Sequence, residues 1–244
     1  DREQALSLEP SLARRMVGAN YYPDDHQVDP VLLSKSLAAT VARLGGVFCT
    51  GRRALGLLVQ GHRAVGVRTD QGNMAAEHVV IAGGAWSTTL ADLPPLRTSL
   101  KPLAGQMVQV ETSPPLLRHV VYGYGGYIVP RPDGRILLGS TLEDRGFDKA
   151  VTLDGVRRIS AMALDLVPAL AAARLLTHWS GLRPATGDGR PMLGAGPLAG
   201  LYFATGHFRN GILMTPVTGR VVQALVTGAE VPWDLALFAP GGVT

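Results

Sequence analysis

Apolar and polar positions change rhythm three times along the chain, and each rhythm predicts a different kind of element. Asp29 stands before Pro30, and Leu33, Leu37, Val41 and Leu44 follow at helical spacing until Gly45. A capping carboxylate, a proline at the first helical position and a glycine stop predict a helix over this stretch. Val47 to Thr50 then reads as a strand. Leu55–Val59 and Ala64–Thr69 read as a hairpin around Gln60-Gly61-His62. Glu77 to Ala82 is short and β-branched, as in a buried parallel strand, and runs into Gly83-Gly84. In the middle, Gly105–Glu111, Val120–Pro130 and Arg135–Ser140 read as antiparallel strands, with Pro132-Asp133-Gly134 as a turn. Asp154 to Val167 has the pattern of an amphipathic helix ending at Pro168. His178–Leu182 and Leu201–Thr205 read as strands. A last helix runs to about Thr227 with Gly228 as its stop, and it starts either at Thr215-Pro216 or near Gly211 with a kink at Pro216.

Parallel, antiparallel and again parallel signals predict an α/β (α+β) chain: a nucleotide-binding lobe of parallel strands, split by an antiparallel-sheet lobe. Composition agrees. The chain has 244 residues, 46% hydrophobic and 17% charged, and a net charge of +4. That fits a well-cored globular protein. Positive residues are scattered, with no run longer than Arg14-Arg15 or Arg52-Arg53, so a nucleic-acid partner is not expected. No apolar run is long enough to span a bilayer, so no membrane partner is expected. Cys49 stands alone and excludes an internal disulfide framework, which makes the cytoplasm the default compartment.

The strongest chemical signal is a pair of glycine-framed turns in an otherwise apolar C-terminal third, Gly181-Leu182-Arg183-Pro184-Ala185-Thr186 and Gly206-His207-Phe208-Arg209-Asn210-Gly211. A buried arginine needs an anionic partner, and its planar fork grips a carboxylate through two parallel hydrogen bonds. The pattern suggests a pocket for a small acid. An alternative for Arg183 is a structural salt bridge with Asp188 or Glu143, and for Arg209 a surface arginine beside a turn. Asp24-Asp25-His26 and Asp29 read as a polar turn and helix cap and not as a metal site, since no second ligand cluster supports them. Glu143-Asp144 with Asp148 leaves a paired-carboxylate catalyst possible in principle, and only the resemblance given below implies a structural role. Ser87 and Ser180 lack the context of a nucleophilic serine.

These two segments, with Tyr127-Ile128-Val129-Pro130-Arg131-Pro132-Asp133-Gly134, resemble the FAD-dependent amine oxidases of the D-amino-acid oxidase superfamily, and above all the glycine oxidases of thiamine biosynthesis. The resemblance runs from Leu8-Glu9-Pro10 to the last helix. It implies a linker and substrate-lobe segment at 1–28, FAD-lobe segments at 29–97 and 183–244, and an antiparallel substrate lobe at 98–182. It implies FAD as cofactor, a small amino acid such as glycine or sarcosine as substrate, and dioxygen as acceptor, with hydride transfer to the flavin and hydrogen peroxide as product. It places the substrate near Tyr127, Arg183 and Arg209. It places the cofactor against Ala54, Gly83 and Gly84, and against His207, Phe208, Arg209, Asn210, Gly211, Ile212 and Leu213. No residue is assigned as a catalytic base, and no metal is implied.

Such folds open with Gly-x-Gly-x-x-Gly between a strand and a helix. Gly194-Ala195-Gly196-Pro197-Leu198-Ala199-Gly200 has the wrong spacing and is interrupted by Pro197, so it reads as a turn. The expectation is a C-terminal portion of a longer oxidase, a truncated frame or half of a split enzyme. Its partners are then a missing N-terminal chain or, alternatively, further copies of itself. A dehydrogenase with another acceptor and a non-catalytic chain, either a partner subunit or a truncated remnant, stay open as functions.

Overall fold

A computed structural model of the chain describes residues 1–90 and 92–241. Ala91 and residues 242–244, which fall within the two FAD-lobe segments read from the sequence, lie outside the described residues. In chain order the elements are α1 (Arg2–Leu8), α2 (Pro30–Arg43), β1 (Ala54–Gln60), β2 (Arg63–Thr69), β3 (Gly72–Ala75), β4 (Val79–Ile81), β5 (Leu100–Glu111), β6 (Val121–Gly123), β7 (Gly126–Pro130), β8 (Arg135–Gly139), α3 (Leu153–Leu166), β9 (Arg174–Thr186), β10 (Met192–Ala195), β11 (Leu201–Thr205) and α4 (Gly211–Thr227). By contacts the chain divides into two compact units, 1–28 with 103–182 and 29–102 with 183–244. No described helix is long and apolar enough to cross a membrane.

The first unit is built on a sheet in the order β6-β7-β8-β5-β9, antiparallel from β6 through β5. Alternate residues of its strands, Val108, Val110, Ile128, Ile136 and Leu138, point into one core. Helix α3 closes that core with Ile159, Ala163 and Val167, which recur at helical spacing along its apolar face. The helix begins where Thr152 Oγ1 accepts the Gly155 N–H at 3.1 Å and stops before Pro168. One polar side chain sits at the edge of this core: Gln106 is fully buried. It is satisfied, since its amide donates to Glu143 (2.8 Å) and Thr152 (3.2 Å) and accepts the Thr152 N–H (2.9 Å). The N-terminal segment is tied to the same unit by Glu9, whose buried carboxylate accepts the backbone N–H groups of Arg118 and His119.

The second unit holds two small sheets, antiparallel β1-β2-β3 and mixed β10-β11-β4. In the second, β11 runs parallel to β4, with Leu201, Tyr202 and Phe203 opposite Val79, Val80 and Ile81. Their inward residues join Leu57, Ala64, Leu100 and Met192 in one core. Arg97 pins the C-terminal segment by donating Nε–H to the Ala239 carbonyl at 2.8 Å and pairing with Asp188.

Several elements differ from the sequence reading, and each difference has a local cause. Val47–Thr50 forms no strand. A strand needs a hydrogen-bonding neighbour, and no described strand pairs with it, so Val47 is 84% exposed. Helix α2 has its predicted cap, with Asp29 Oδ1 accepting from Val31 and Leu32, yet none of its residues is buried. The strand read as His178–Leu182 is longer, from Arg174 to Thr186. Val120–Pro130 is two strands, because Tyr124-Gly125 turns the chain. Strands β3 and β10 are only four residues long, too short for a periodic signal, and are set by their neighbours: β3 pairs β2 and β10 pairs β11. The last helix takes the earlier of its two starts, with Pro216 inside it.

Candidate functional site

Two parallel strands of the second unit end side by side, and glycine turns follow both. Ligands of open α/β sheets sit at the carboxyl ends of the strands. After β4 comes Gly83-Gly84 and a short 3-10 turn over Gly84–Thr89. Gly84 has φ +56°, and a Cβ there would meet nothing within 4 Å. The backbone therefore faces open space in a conformation that favours glycine. After β11 comes Gly206, at φ +77°.

A buried hydroxyl pair holds the two turns together. The Ser87 hydroxyl donates to Thr205 Oγ1 at 2.8 Å, and the Thr205 hydroxyl donates to the Gly84 carbonyl at 3.2 Å. Sequence reasoning missed this pair. The available signal was a threonine at an inward position of an otherwise apolar strand, Leu201-Tyr202-Phe203-Ala204-Thr205. Thr205→Val removes the acceptor and leaves the Ser87 hydroxyl unsatisfied in a dry site. The expected cost is about 1–3 kcal/mol, read as a lower urea midpoint with an unchanged slope.

The 206–211 loop is fixed to the end of β9. His207 forms an antiparallel bridge with Ala185, and the Phe208 N–H donates to the Pro184 carbonyl at 3.1 Å. Phe208 takes a left-handed φ of +49°, which is uncommon for a bulky side chain and is held by these contacts. The Asn210 N–H closes the turn on the His207 carbonyl at 2.9 Å. Helix α4 starts next, and the side chain of Asn210 does not cap it. Its first N–H groups thus lack the usual side-chain acceptor.

The His207 imidazole shares a hydrogen bond of 3.0 Å between Nε2 and Thr218 Oγ1. Burial pushes its pKa below the ordinary value near 6.5, because a dry site disfavours the charged ring. The unfolded chain therefore binds a proton that the folded chain refuses. Stability should be flat above about pH 6.5 and fall as pH drops from there toward the folded pKa. Melting temperature against pH checks this, and His207→Gln should flatten the acid limb of the curve.

The residues singled out in the sequence fall as follows. Arg183 is half-buried near the end of β9, one residue before the carbonyl that anchors Phe208. Asp188 pairs with Arg97, and Glu143 with Arg145 and Arg158. Arg209 is exposed, its guanidinium carbon 5.3 Å from the Phe208 ring centroid. The structure thus brings the Arg183 strand end and the His207–Gly211 loop together within one unit. Ile212 and Leu213, in the first turn of α4, are exposed. Ala54 opens β1 opposite Thr69 and is not joined to the glycine turns by strand pairing. Tyr127 belongs to the other unit. It lies half-buried on β7, its hydroxyl 3.5 Å from Met107 Sδ and its ring stacked on Tyr122 at 6.0 Å. Among the described residues no group of three His, Cys, Asp or Glu side chains could hold a metal ion.

Parallel strands ending in glycine turns and a loop wrapped back on an arginine-bearing strand, in a chain whose other unit carries an antiparallel sheet, fit an oxidoreductase of the flavoprotein class. The chain belongs to the FAD dependent oxidoreductase family, whose profile matches residues 1–225. It is 39% identical over 239 residues to the glycine oxidase of Geobacillus kaustophilus, a match covering 97% of this chain and 63% of that protein. The crystal structure of glycine oxidase from Geobacillus kaustophilus superposes with a TM-score of 0.94 at 38% identity, covering 100% of this chain and 66% of that one. The bifunctional protein ThiO/ThiG of Trichormus variabilis is 40% identical over 222 residues, covering 89% of this chain and 33% of that protein. The chain therefore spans just under two thirds of the length of the glycine oxidase it matches.

The residues present fit part of an FAD site. Gly84 leaves open space where a side chain would stand, and the first turn of α4 offers N–H groups that no side chain caps.

Proposed function

We propose that this chain supplies the substrate-binding residues and one wall of the cofactor site of an FAD-dependent oxidase of glycine or a similarly small amino acid. The observation that carries the reading is the joining of the Arg183 strand end to the His207–Gly211 loop, beside the carboxyl ends of β4 and β11. When bound, FAD supplies the hydride acceptor and passes the electrons to dioxygen, giving hydrogen peroxide.

The chain's own residues bind and orient. Arg183 is proposed to hold the substrate carboxylate in its planar fork. Tyr127 is proposed to donate its hydroxyl to that carboxylate, and Arg209 to border the substrate. Gly83, Gly84 and the backbone from His207 to Leu213 would line the cofactor, with Ala54 on its adenosine side. The N-terminus of α4 favours negative charge near it, which would raise the electron affinity of a ring held there. His207 is not proposed as a base: its Nε2 is engaged with Thr218 Oγ1, and burial lowers its pKa, which weakens it as a proton acceptor. An amine bound in its neutral form needs no protein base. The imine left by oxidation then hydrolyses to an oxo acid. We assign the reaction to the cytoplasm, where the exposed thiol of Cys49 stays reduced.

A further strand-and-helix element carrying the dinucleotide fingerprint is proposed to complete the site. Two features of the second unit support it. Strand β4 is the edge of its sheet, and the apolar positions Leu37, Val41 and Leu44 of α2 and its C-cap stand exposed.

The test is an absorption spectrum of the purified chain after FAD addition and desalting. A retained and shifted flavin spectrum that bleaches with glycine supports a usable site in this chain. Loss of all flavin assigns the chemistry to a longer or two-chain enzyme. A retained flavin that no small amino acid reduces would sink the substrate assignment.

A further inference from the structure

Helix α4 carries Pro216 one turn after its start. Pro216 lacks an N–H, so the bond that would reach the Ile212 carbonyl is missing, and prolines are where helices kink. The turn Gly211–Thr215 is therefore joined to the rest of α4 with one rung absent. Inside that turn the Thr215 hydroxyl bonds only its own helix, at the Gly211 carbonyl (2.9 Å). Asn210 provides no side-chain cap. Upstream, the loop is tied to β9 by the His207–Ala185 bridge and the Phe208–Pro184 hydrogen bond. A side-chain hydrogen bond spans this position: His207, before the helix, meets Thr218, two residues beyond Pro216, at 3.0 Å.

We infer that the His207–Thr218 hydrogen bond is a brace across the proline break, and that it sets the orientation in which Arg209 and the first turn of α4 are presented to the cofactor. Both are positioning residues, and the inference rests on the function proposed above. The geometry explains three features together. A neutral ring suits the brace, because a buried imidazolium would be disfavoured at this half-buried site. The left-handed Phe208 fits because the loop is held on both sides of it. The uncapped Asn210 fits because the brace replaces the cap as the restraint on the helix start. Without it, the first turn of α4 can swing about Pro216 while the rest of the helix stays packed through Val221, which is buried.

The test uses Thr218→Val, which keeps the side-chain shape and removes the polar atom, with Thr218→Ser as the conservative rescue. Amide exchange is measured at Phe208 and Asn210, whose N–H groups bond the Pro184 and His207 carbonyls. Ile128 in the other unit serves as the folding control. Loss of one such hydrogen bond predicts exchange about tenfold faster at the two loop amides, and no change at Ile128. Thr218→Ser should restore slow exchange. His207→Gln combined with Thr218→Val should be no faster than the worse single variant. Unchanged loop exchange in Thr218→Val, or failure of serine to rescue, overturns the brace. In the FAD-loaded enzyme, Thr218→Val should make the flavin midpoint potential more negative, because oriented N–H groups no longer stabilise the reduced ring. A loosened loop with an unchanged potential would leave the brace as packing only and overturn its role toward the cofactor. A failure of the function itself is seen separately, as glycine capture that does not respond to Arg183→Ala.

Discussion

Arg183→Ala should weaken capture of glycine by about 2–5 kcal/mol in the FAD-loaded enzyme, the usual cost of removing one partner of a desolvated charge pair. That corresponds to a KM raised by roughly thirtyfold to several thousandfold. The flavin spectrum should be unchanged, because the residue is assigned to the substrate and not to the cofactor. Arg183→Lys should recover little, since an ammonium is a point charge and cannot reproduce the two parallel bonds of the fork. The half-buried position of Arg183, one residue from the carbonyl that anchors Phe208, makes the expectation specific. A surface arginine such as Arg157, which pairs with Asp154 on α3, should tolerate the same change with no measurable effect on KM. An unaltered KM for Arg183→Ala would remove the carboxylate clamp from the proposed mechanism.

The second large effect is on stability. Gly206→Ala meets two obstacles at once. Its φ of +77° disfavours any side chain, and the new Cβ would stand 2.6 Å from Thr186 Cγ2 and 3.4 Å from the Met192 nitrogen. Left-handed backbone costs roughly 1–2 kcal/mol for a non-glycine residue, and overpacking typically adds about 1–3 kcal/mol. The expected loss is about 2–5 kcal/mol, measured by chemical denaturation. Gly84→Ala is the control. It has φ +56° but open space around its Cβ, so only the backbone cost of roughly 1–2 kcal/mol applies. Its larger effect should fall on flavin retention. Equal stability losses at the two glycines would show that the contact with Thr186 does not constrain the loop.

These two glycines illustrate how far the sequence could be read. Gly83-Gly84 and Gly206 each follow a run of apolar and β-branched residues, which already pointed to two strands ending in turns. What the pattern could not supply was which strands are neighbours, nor the Ser87–Thr205 hydroxyl pair that joins residues 118 positions apart. Hydroxyl pairs carry no periodic signal. The brace is similar: Thr218 and His207 are near in sequence, but only the helix start at Gly211 brings them within hydrogen-bonding distance. The sequence left that start open between Gly211 and Pro216, because both positions have valid signals.

Local chemistry acting over a few residues was decided by the sequence itself. The Asp29 cap and Pro30 start of α2, the Thr152-to-Pro168 span of α3, the Gly228 stop of α4 at φ +71° and the hairpin between β1 and β2 follow from capping, turn and alternation rules that need no distant partner. The family likeness was likewise carried by contiguous motifs around Tyr127, Arg183 and Arg209. Tertiary structure decided whatever depends on a neighbour. Val47–Thr50 has strand composition and no ladder, since a strand exists only by pairing. Short β3 and β10 are strands because β2 and β11 offer them hydrogen bonds. The ion pairs of Asp188 with Arg97 and of Glu143 with Arg145 and Arg158 were decided there too, because charge pairing depends on distance in space and is indifferent to distance along the chain.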